Sequence, residues 1–445
     1  MSATRTFYVE SLGCAKNQVD SELMIAELEA AGWRCVADPQ EAAAIVVNTC
    51  GFIADAKKQS IETTLSFKSR FPDKKIYMVG CLTERYAGEL SSEIPEMDGF
   101  LGNGNPSGIR DLLDGKGGGG PAGAKCGGVP PQASLHEGLR ERKRLLSFPG
   151  SVYVKISEGC GNRCTYCAIP LIRGDLRSRP REEVAAEIKG FLGRGIREIV
   201  LIAQDLGSYG TDGGKQELPD LLRDISGLDG SFWIRLLYIH PDHFPREILP
   251  VMARDPRLLP YFDIPFQHAS PRVLSAMGRR EAPDGNLQLI REVRRALPDA
   301  VIRSTFLVGF PGETDEDFDR LLEFQESALL DWMGVFRYSR EEDTPAYRMR
   351  GGVRRGTAEE RKRILEQRQI VITERALDGQ LGRELSILIE EPVSDAGLSI
   401  GRAYLQAPDV DGLTVVRGSF EPGSMVLARI WKRNGFDLEG EPVNG

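Results

Sequence analysis

The spacing of its cysteines is the feature that most constrains this 445-residue chain. Three of the eight cysteines fall within the short segment EGCGNRCTYCAIP, and we call Cys160, Cys164 and Cys167 the loop cysteines. A single loop of this length brings three thiols together whatever the surrounding fold. Structural zinc sites normally take four ligands, and no fourth Cys or His lies nearby in sequence. A zinc loop is therefore the weaker interpretation.

Three thiols on one loop are suited to a 4Fe–4S cluster, because thiolates are its usual ligands. They hold three of the irons and leave the fourth open to a small molecule such as S-adenosylmethionine. An electron from such a cluster cleaves the sulfonium and releases a radical that abstracts hydrogen from an unactivated carbon. The protein then has to position the cofactor and exclude side reactions. The spacing, shared by the radical S-adenosylmethionine superfamily, predicts an enzyme of this kind.

A second set of three cysteines is scattered along the N-terminal part of the chain. Cys14, Cys50 and Cys81, which we call the edge cysteines, each lie just past a predicted strand, in YVESLGC, AIVVNTC and KIYMVGC. In a parallel sheet the C-terminal strand ends share one edge, so these thiols should meet there. A glycine beside each cysteine would let the backbone approach a cluster closely. We predict a second 4Fe–4S site, with buried structural cysteines as the alternative.

The pattern of strands and helices predicts an α/β chain of three domains. An N-terminal domain with a parallel sheet is followed by a Gly- and Pro-rich linker. Six further strand–helix units predict a partial (β/α)6 barrel, whose chemistry lies at the C-terminal strand ends. Four strand patterns near the C-terminus, LSILIEE, GRAYLQ, LTVVRG and SMVLARIW, predict a small antiparallel β-barrel. The predicted boundaries are 4–118, 119–145 for the linker, 146–376 and 377–445.

Charge and composition narrow the choice of compartment and partner. The chain has a net charge of −8 and no apolar run long enough to span a membrane. We expect a cytoplasmic protein, in which Cys35 and Cys126 are bystanders rather than disulfide partners. Residues 377–445 carry six basic side chains against eleven acidic ones. Because RNA binding depends on basic side chains, this balance favours a basic protein partner, unless these acids only solvate the surface.

With both cysteine sets in place, the chain resembles the methylthiotransferase family of radical S-adenosylmethionine enzymes over nearly its whole length. Within that family it is most similar to the branch that modifies the small-subunit ribosomal protein S-twelve. The C-terminal domain resembles a TRAM barrel. The matching stretches are SLGCAKNQVDSE, EGCGNRCTYCAIPLIRGDLRSR, LIAQDLGSYG, YFDIPFQH, LVGFPGET, GVFRYSREEDTPAY and APDVDG.

The resemblance implies a role for each cysteine set. The loop cysteines would bind the 4Fe–4S cluster that cleaves S-adenosylmethionine. The edge cysteines would bind an auxiliary 4Fe–4S cluster, whose open iron holds the sulfur or methylthio group. The implied reaction replaces a hydrogen on the β-carbon of one aspartate in the ribosomal protein with a methylthio group. One S-adenosylmethionine supplies the methyl group and another the radical, and external electron and sulfur donors are required.

Three alternatives remain open at this point. The same chemistry would serve a tRNA adenosine, although the acidic C-terminal domain makes tRNA the less favoured substrate. A zinc-stabilised RNA-binding scaffold would not be an enzyme, and a radical enzyme with an electron-transfer cluster would insert no sulfur. We assign no general acid or base. Six polar residues near strand ends are either substrate contacts or ordinary structural residues: His240, His243, His268, Gln204, Asp205 and Gln267.

Overall fold

A computed structural model describes residues 5–116, 141–280, 282–393 and 396–443. The N-terminal domain is a five-stranded parallel sheet in the order β2-β1-β3-β4-β5, with helices on both faces. Every residue of β3 is buried, as expected for a central parallel strand covered on both sides. In chain order the elements are β1 (Thr6–Ser11), α1 (Ala15–Ala30), β2 (Arg34–Cys35), β3 (Ala44–Thr49), α2 (Ala54–Arg70), β4 (Lys75–Gly80), α3 (Cys81–Glu93), β5 (Gly99–Leu101) and α4 (Ile109–Leu113).

The central domain is a partial barrel of six parallel strands in the order β6-β9-β10-β11-β12-β13, as the sequence predicts. A short antiparallel pair, β7 with β8, brackets the segment that carries the loop cysteines. In chain order the elements are β6 (Ser151–Lys155), β7 (Ser157–Glu158), α5 (Ile169–Arg173), β8 (Arg177–Ser178), α6 (Arg181–Gly193), β9 (Glu198–Ile202), α7 (Leu218–Ser226), β10 (Trp233–Leu237), α8 (Ile248–Met252), β11 (Leu258–Asp263), α9 (Pro271–Ala276), α10 (Pro283–Ala296), β12 (Val301–Val308), α11 (Asp315–Ala328), β13 (Trp332–Arg337) and α12 (Arg355–Asp378).

The C-terminal domain is a closed barrel in the order β14-β15-β16-β18-β17. The four predicted strands are present, but the prediction missed β18, whose sequence DLEGEP has the Gly, Pro and acidic residues of a turn. This strand closes the barrel by pairing in parallel with β16, so the barrel is not wholly antiparallel as predicted. The strands are β14 (Glu384–Val393), β15 (Leu398–Ala403), β16 (Thr414–Arg417), β17 (Met425–Asn434) and β18 (Asp437–Pro442).

Local sequence signals explain where several helices begin. Helices α9 and α10 start at prolines, which are tolerated in a first turn because the missing N–H has no partner there. Helix α11 starts with a capping box between Thr314 and Asp317. Short 3₁₀ turns lie in the connections at Pro39–Glu41, Pro106–Gly108, Leu206–Ser208, Thr211–Gly213, Pro241–His243 and Pro345–Arg348.

Part of the predicted linker lies outside the described residues, because residues 117–140 are not among them. Cys126 lies there too. The linker at 119–145 and the three domain boundaries therefore stay predictions. In the described part of the chain, no helix is long and apolar enough to cross a membrane.

Buried ions hold the C-terminal barrel against the central sheet. Glu198, at the start of β9, is fully buried. It binds Arg235 on β10 at 2.8 Å and Arg402 on β15 at 2.6 Å. Burial opposes ionisation of Glu198, but the two guanidiniums outweigh it and lower the pKa of the carboxyl to about 2. Without this carboxylate, the buried guanidinium of Arg235 would have no acidic partner.

Replacing Glu198 with glutamine is expected to lower the free energy of unfolding by about 3 kcal/mol at neutral pH, measured by urea denaturation. Because folding lowers the pKa of Glu198 from its ordinary 4.5 to about 2, its contribution is present above pH 4.5. The contribution is lost as the pH falls towards 2, so the two proteins should converge there. The matched control is Glu441→Gln, which breaks an exposed pair with Arg417 and should cost less than about 1 kcal/mol. Equal losses of unfolding free energy in both variants would contradict the role of Glu198 as a buried ion that stabilises the contact between the two domains.

Candidate active site

The edge cysteines lie at the C-terminal edge of the N-terminal sheet. Cys14 precedes α1, Cys50 follows β3, and Cys81 opens α3 directly after β4. Strands β3 and β4 end in register, with Thr49 opposite Gly80. Cys50 and Cys81 therefore start from adjacent points of the sheet.

Two glycines allow the cysteine-bearing segments to approach each other at this edge. Gly13 has a φ of +95°, and a Cβ there would lie 3.0 Å from the Cβ of Cys50. A Cβ on Gly51 would lie 2.7 Å from the carbonyl oxygen of Cys81. Any larger residue at position 51 would therefore push the segments apart.

The edge thiols lie near enough to influence one another. Burial raises the pKa of the Cys50 thiol to about 12, and the neighbouring Cys81 and Cys14 add to the increase. In the described residues, no three Cys, His, Asp or Glu side chains are arranged to hold one metal ion. Cluster ligands bind separate irons and need not converge on one point. Three neighbouring thiols at a glycine-narrowed edge therefore fit a 4Fe–4S cluster.

The loop cysteines lie just past the first barrel strand, between β7 and β8. The Cys160 amide donates to the carbonyl of Gly174, and the Cys167 amide donates to that of Cys164, both at 3.1 Å. Cys160 is buried, and the other two are half-buried. Burial raises the pKa of Cys167 to about 12, and the two other loop thiols contribute. These thiols also form a compact set that fits thiolate ligation of a cluster.

The loop is fixed by hydrogen bonds to two other segments at the C-terminal side of the barrel. Thr165 donates from its amide to Met277 O at 3.0 Å and from its hydroxyl to Ala276 O at 2.7 Å. The Ala346 amide donates to Thr165 O at 2.8 Å. These bonds tie the loop to both segments through protein groups alone.

Asp205 connects this loop to the end of the next barrel strands. Its carboxylate accepts hydrogen bonds from Asn162 Nδ2 at 3.0 Å and Ser208 Oγ at 2.6 Å, and it lies 2.9 Å from His243 Nδ1. The His240 amide donates to it at 3.0 Å. Burial opposes ionisation, but these contacts outweigh it and lower the pKa of Asp205 to about 2. Asp205 is thus a charged support for the loop.

Two of the other histidines have different surroundings. His240 Nε2 lies 3.9 Å from Cys164 Sγ. Burial, together with the Arg279 charge, lowers the pKa of His240 to about 3, so its ring is neutral. His268 is fully buried and accepts a hydrogen bond from the Ser270 amide, which is the environment of a structural residue.

The two glutamines named in the sequence also differ. Gln267 has a φ of +69° and pairs through its backbone with β12, since its amide donates to Thr305 O and its carbonyl accepts from the Leu307 amide. This is a structural role for its main chain. Gln204 is half-buried beside Asp205. The structure brings Asp205, His240 and His243 to the loop cysteines, whereas His268 lies in the core.

An arginine that the sequence analysis did not single out joins the two cysteine sets. Arg173 ends α5, the helix that follows the loop cysteines. Its Nη2 lies 3.2 Å from Cys81 Sγ, and it donates to Asn17 Oδ1 at 2.7 Å and Asp20 Oδ2 at 2.9 Å. Its Nη1 donates to Glu158 Oε1 at 2.8 Å. One guanidinium thus contacts an edge cysteine from the domain that carries the loop cysteines.

Apolar packing confirms that the two sets share one junction. Cys81 packs with Ala168 and Ile172 in a small buried cluster. Ala168 directly follows Cys167, so a residue that packs with an edge cysteine is the chain neighbour of a loop cysteine.

Further polar residues beside this junction were also missed. The ammonium of Lys16 lies 3.3 Å from the centre of the Tyr238 ring. Burial lowers the pKa of Lys16 to about 8, although Cys14 opposes that change. Nearby Asp263 has its pKa raised to about 6, again by burial. The sequence signal was weak, since Lys16 differs from other helical lysines only in following Cys14 by two positions.

Known proteins match the chain domain by domain. Family models match residues 6–102 (uncharacterized protein family UPF0004), 154–324 (radical SAM superfamily) and 381–443 (TRAM domain). Among solved structures, the radical S-adenosylmethionine methyltransferase TsrM from Kitasatospora setae superposes with a TM-score of 0.58. It shares 16% identity, and 77% of each chain is covered, so this likeness concerns the fold alone.

The fold and the loop cysteines define a radical S-adenosylmethionine enzyme with an added cysteine-bearing domain and a TRAM barrel. The ribosomal protein uS12 methylthiotransferase RimO of Treponema denticola is 45% identical, with 97% of this chain and 99% of the relative covered. The RimO of Moorella thermoacetica is 41% identical, with 97% and 98% covered. The chain therefore belongs to the ribosomal protein uS12 methylthiotransferase family.

Family membership confirms the predicted enzyme class. It also confirms the predicted cofactors, S-adenosylmethionine and two 4Fe–4S clusters. The assignment of each cysteine to a cluster stays a prediction, because it rests on position and packing.

Proposed function

We propose that this chain adds a methylthio group to the β-carbon of one aspartate in ribosomal protein uS12. The loop cysteines hold the cluster that binds S-adenosylmethionine, and the edge cysteines hold the auxiliary cluster. The observation that carries the proposal is the packing of Cys81 against Ala168, the residue after Cys167. Two three-thiol sets that lie this close together are what a reaction needs when hydrogen removal and sulfur delivery occur at one carbon.

When bound, the two clusters would supply reductive cleavage of S-adenosylmethionine and an iron that carries sulfur. The chain itself fixes the geometry between them. Thr165 and Asp205 hold the loop from two sides, while Arg173 holds the edge site against it. Cys81 and Cys160 are buried, whereas Cys14 is exposed and the other three thiols are half-buried, so each site has one thiol inside the protein and an open side towards solvent and substrate.

The proposed substrate is supported by the charge of the C-terminal barrel, and the proposed partners by the groups that the reaction consumes. The C-terminal barrel has an excess of acidic residues, which supports attraction of a basic ribosomal protein. S-adenosylmethionine supplies the methyl group and the radical, so we infer an external electron donor and an external sulfur donor. A ribosomal substrate also places the reaction in the cytoplasm.

Mass spectrometry of uS12 from cells with and without this gene tests the proposal. We expect one aspartate to gain a methylthio group in place of hydrogen only when the gene is present. Nucleosides from tRNA of the same cells form the comparison. Methylthiolation of tRNA alone, with uS12 unchanged in both strains, would contradict the proposed substrate while leaving the radical chemistry intact.

A further inference from the structure

A stretch rich in arginine connects β13 to α12, and we call residues 337–355 the arginine segment. It contains six arginines and no lysine, interrupted by the acidic run Glu341, Glu342 and Asp343. The chain as a whole has a net charge of −8, so this basic stretch is a local exception.

Two acidic residues of the segment are already neutralised by the N-terminal domain. Glu341 binds Lys57 at 2.7 Å and Arg85 at 2.8 Å. Glu342 lies 3.3 Å from the same lysine and accepts a hydrogen bond from the Tyr86 hydroxyl at 2.7 Å. These carboxylates therefore do little to offset the arginines around them.

The arginines, by contrast, are mostly without acidic partners. Arg337 is the exception, since it binds Glu359 at 2.9 Å. Asp343 is exposed and offsets one of the remaining charges. Five arginines are exposed, and among the described residues none has a carboxylate within 4.0 Å: Arg340, Arg348, Arg350, Arg354 and Arg355.

A cavity of about 540 Å³ opens beside the segment. Its wall includes Phe336, whose side chain is 51% exposed, and Asp55 is the one acid among the lining residues. Four basic residues line it: Arg337, Arg340, Arg355 and Lys362. Arg337 and Lys362 have acidic partners in Glu359 and Glu366, so Arg340 and Arg355 carry the unpaired positive charge of the cavity, beside an exposed aromatic ring.

The segment lies next to both domains that form the active site. Ala346, within the segment, donates to Thr165 of the loop that carries the loop cysteines. Ser339 accepts a hydrogen bond from the Ala54 amide at the start of α2, at 3.2 Å. A ligand held here would lie at the edge of the junction between the two cysteine sites.

The chemistry of the surface matches phosphates and bases. Arginine offers a planar fork that binds phosphate through two hydrogen bonds, which lysine does not. Arg340 lies 4.5 Å above the ring of Tyr347, and the exposed ring of Phe336 lies close by in sequence, so the surface combines cations with an exposed aromatic side chain. This combination is typical of surfaces that bind single-stranded RNA. A basic protein such as uS12 would be repelled by it.

We infer that the arginine segment binds phosphates of ribosomal RNA next to uS12. The inference rests on the proposed function and deepens it. The preferred substrate is then uS12 within an RNA-containing particle, not the free protein. The acidic barrel attracts the protein, while the arginine segment holds the RNA of the same particle.

The test compares two substrates, free uS12 and small ribosomal subunits from cells that lack the gene. The enzyme is the full chain with both clusters reconstituted anaerobically. The segment variant combines Arg348→Gln, Arg350→Gln, Arg354→Gln and Arg355→Gln. The matched control removes four exposed arginines on, or just after, outer helices of the central domain: Arg254→Gln, Arg291→Gln, Arg295→Gln and Arg320→Gln. Equal iron content and equal unfolding midpoints show that both variants fold.

We expect the segment variant to lose at least tenfold in kcat/KM on subunits and less than twofold on free uS12. Its affinity for subunits should depend less on salt, with the slope of log affinity against log salt smaller by about 2 to 3. Single-stranded ribosomal RNA should compete with subunits for the wild type. The control variant should behave as the wild type.

Several results would overturn the inference. If the segment variant loses kcat/KM equally on both substrates, or on neither, the segment does not bind RNA. Loss on both substrates with a protein electron donor, restored by chemical reductant, would instead identify a docking site for an acidic electron-transfer protein. If the wild type modifies neither substrate, the proposed function fails, and that result differs from any failure confined to the segment variant.

Discussion

Replacing the three loop cysteines with alanine is expected to halve the iron of the anaerobically reconstituted protein, from about eight to about four per chain. S-adenosylmethionine cleavage should fall to background, because no other described site carries three thiols on one loop past the first barrel strand. Iron and sulfide analysis and chromatography of 5′-deoxyadenosine measure the two effects separately. A full iron complement with continued cleavage would contradict the assignment of the loop cysteines.

The reciprocal variant should separate the two halves of the reaction. With Cys14, Cys50 and Cys81 changed to alanine, about four irons should again remain, but 5′-deoxyadenosine should still form without any methylthiolated product. The control is Cys35→Ala, since Cys35 is half-buried on β2 and belongs to neither set. It should keep the full iron content and both activities. Loss of cleavage in the edge variant would mean that the two sites are not independent.

The cysteine sites could be predicted because each depends on a short-range rule. The loop cysteines are defined by local spacing alone. The edge cysteines follow three strands of a parallel sheet, so topology places them together even though they are far apart in sequence. Neither prediction depends on how one domain packs against another.

The residues that were missed depend on packing between domains. Arg173 follows Cys167 by six positions, but its partners Asn17 and Asp20 lie more than 150 residues earlier. No periodicity in the sequence relates α5 to α1. The strand β18 was missed for a related reason, since its partners come from barrel closure rather than from its own composition.

Arg173→Gln is expected to lower both the folding stability and the rate of methylthio transfer. The guanidinium is fully enclosed, with a side chain only 2% exposed, and balances the carboxylates of Asp20 and Glu158 together with Lys155. Without it, two buried carboxylates would share one ammonium, and Cys81 would lose a charged donor. Breaking such a buried ion network costs about 3 to 5 kcal/mol of folding free energy. Because ligand-supporting contacts typically contribute 10- to 100-fold to metal affinity or activity, we expect methylthio transfer to fall by about that factor.

A loss of stability is expected both for a residue that supports the edge cysteines and for one that only joins two domains. Arg142 is the control that separates these two roles. Arg142 has the same 2% side-chain exposure and also links α1 to the central domain, through Glu22 at 2.5 Å and Glu187 at 2.7 Å, but no thiol is among its partners. Arg142→Gln should lower stability by a similar amount while leaving the iron content and the electron paramagnetic resonance spectrum of the auxiliary cluster unchanged. Arg173→Gln should change both the iron content and the spectrum of the auxiliary cluster. Arg173→Lys should recover part of the iron, since lysine restores the positive charge but not the planar guanidinium with its paired N–H donors. Identical spectra and iron content in the two glutamine variants would show that Arg173 acts only through domain packing.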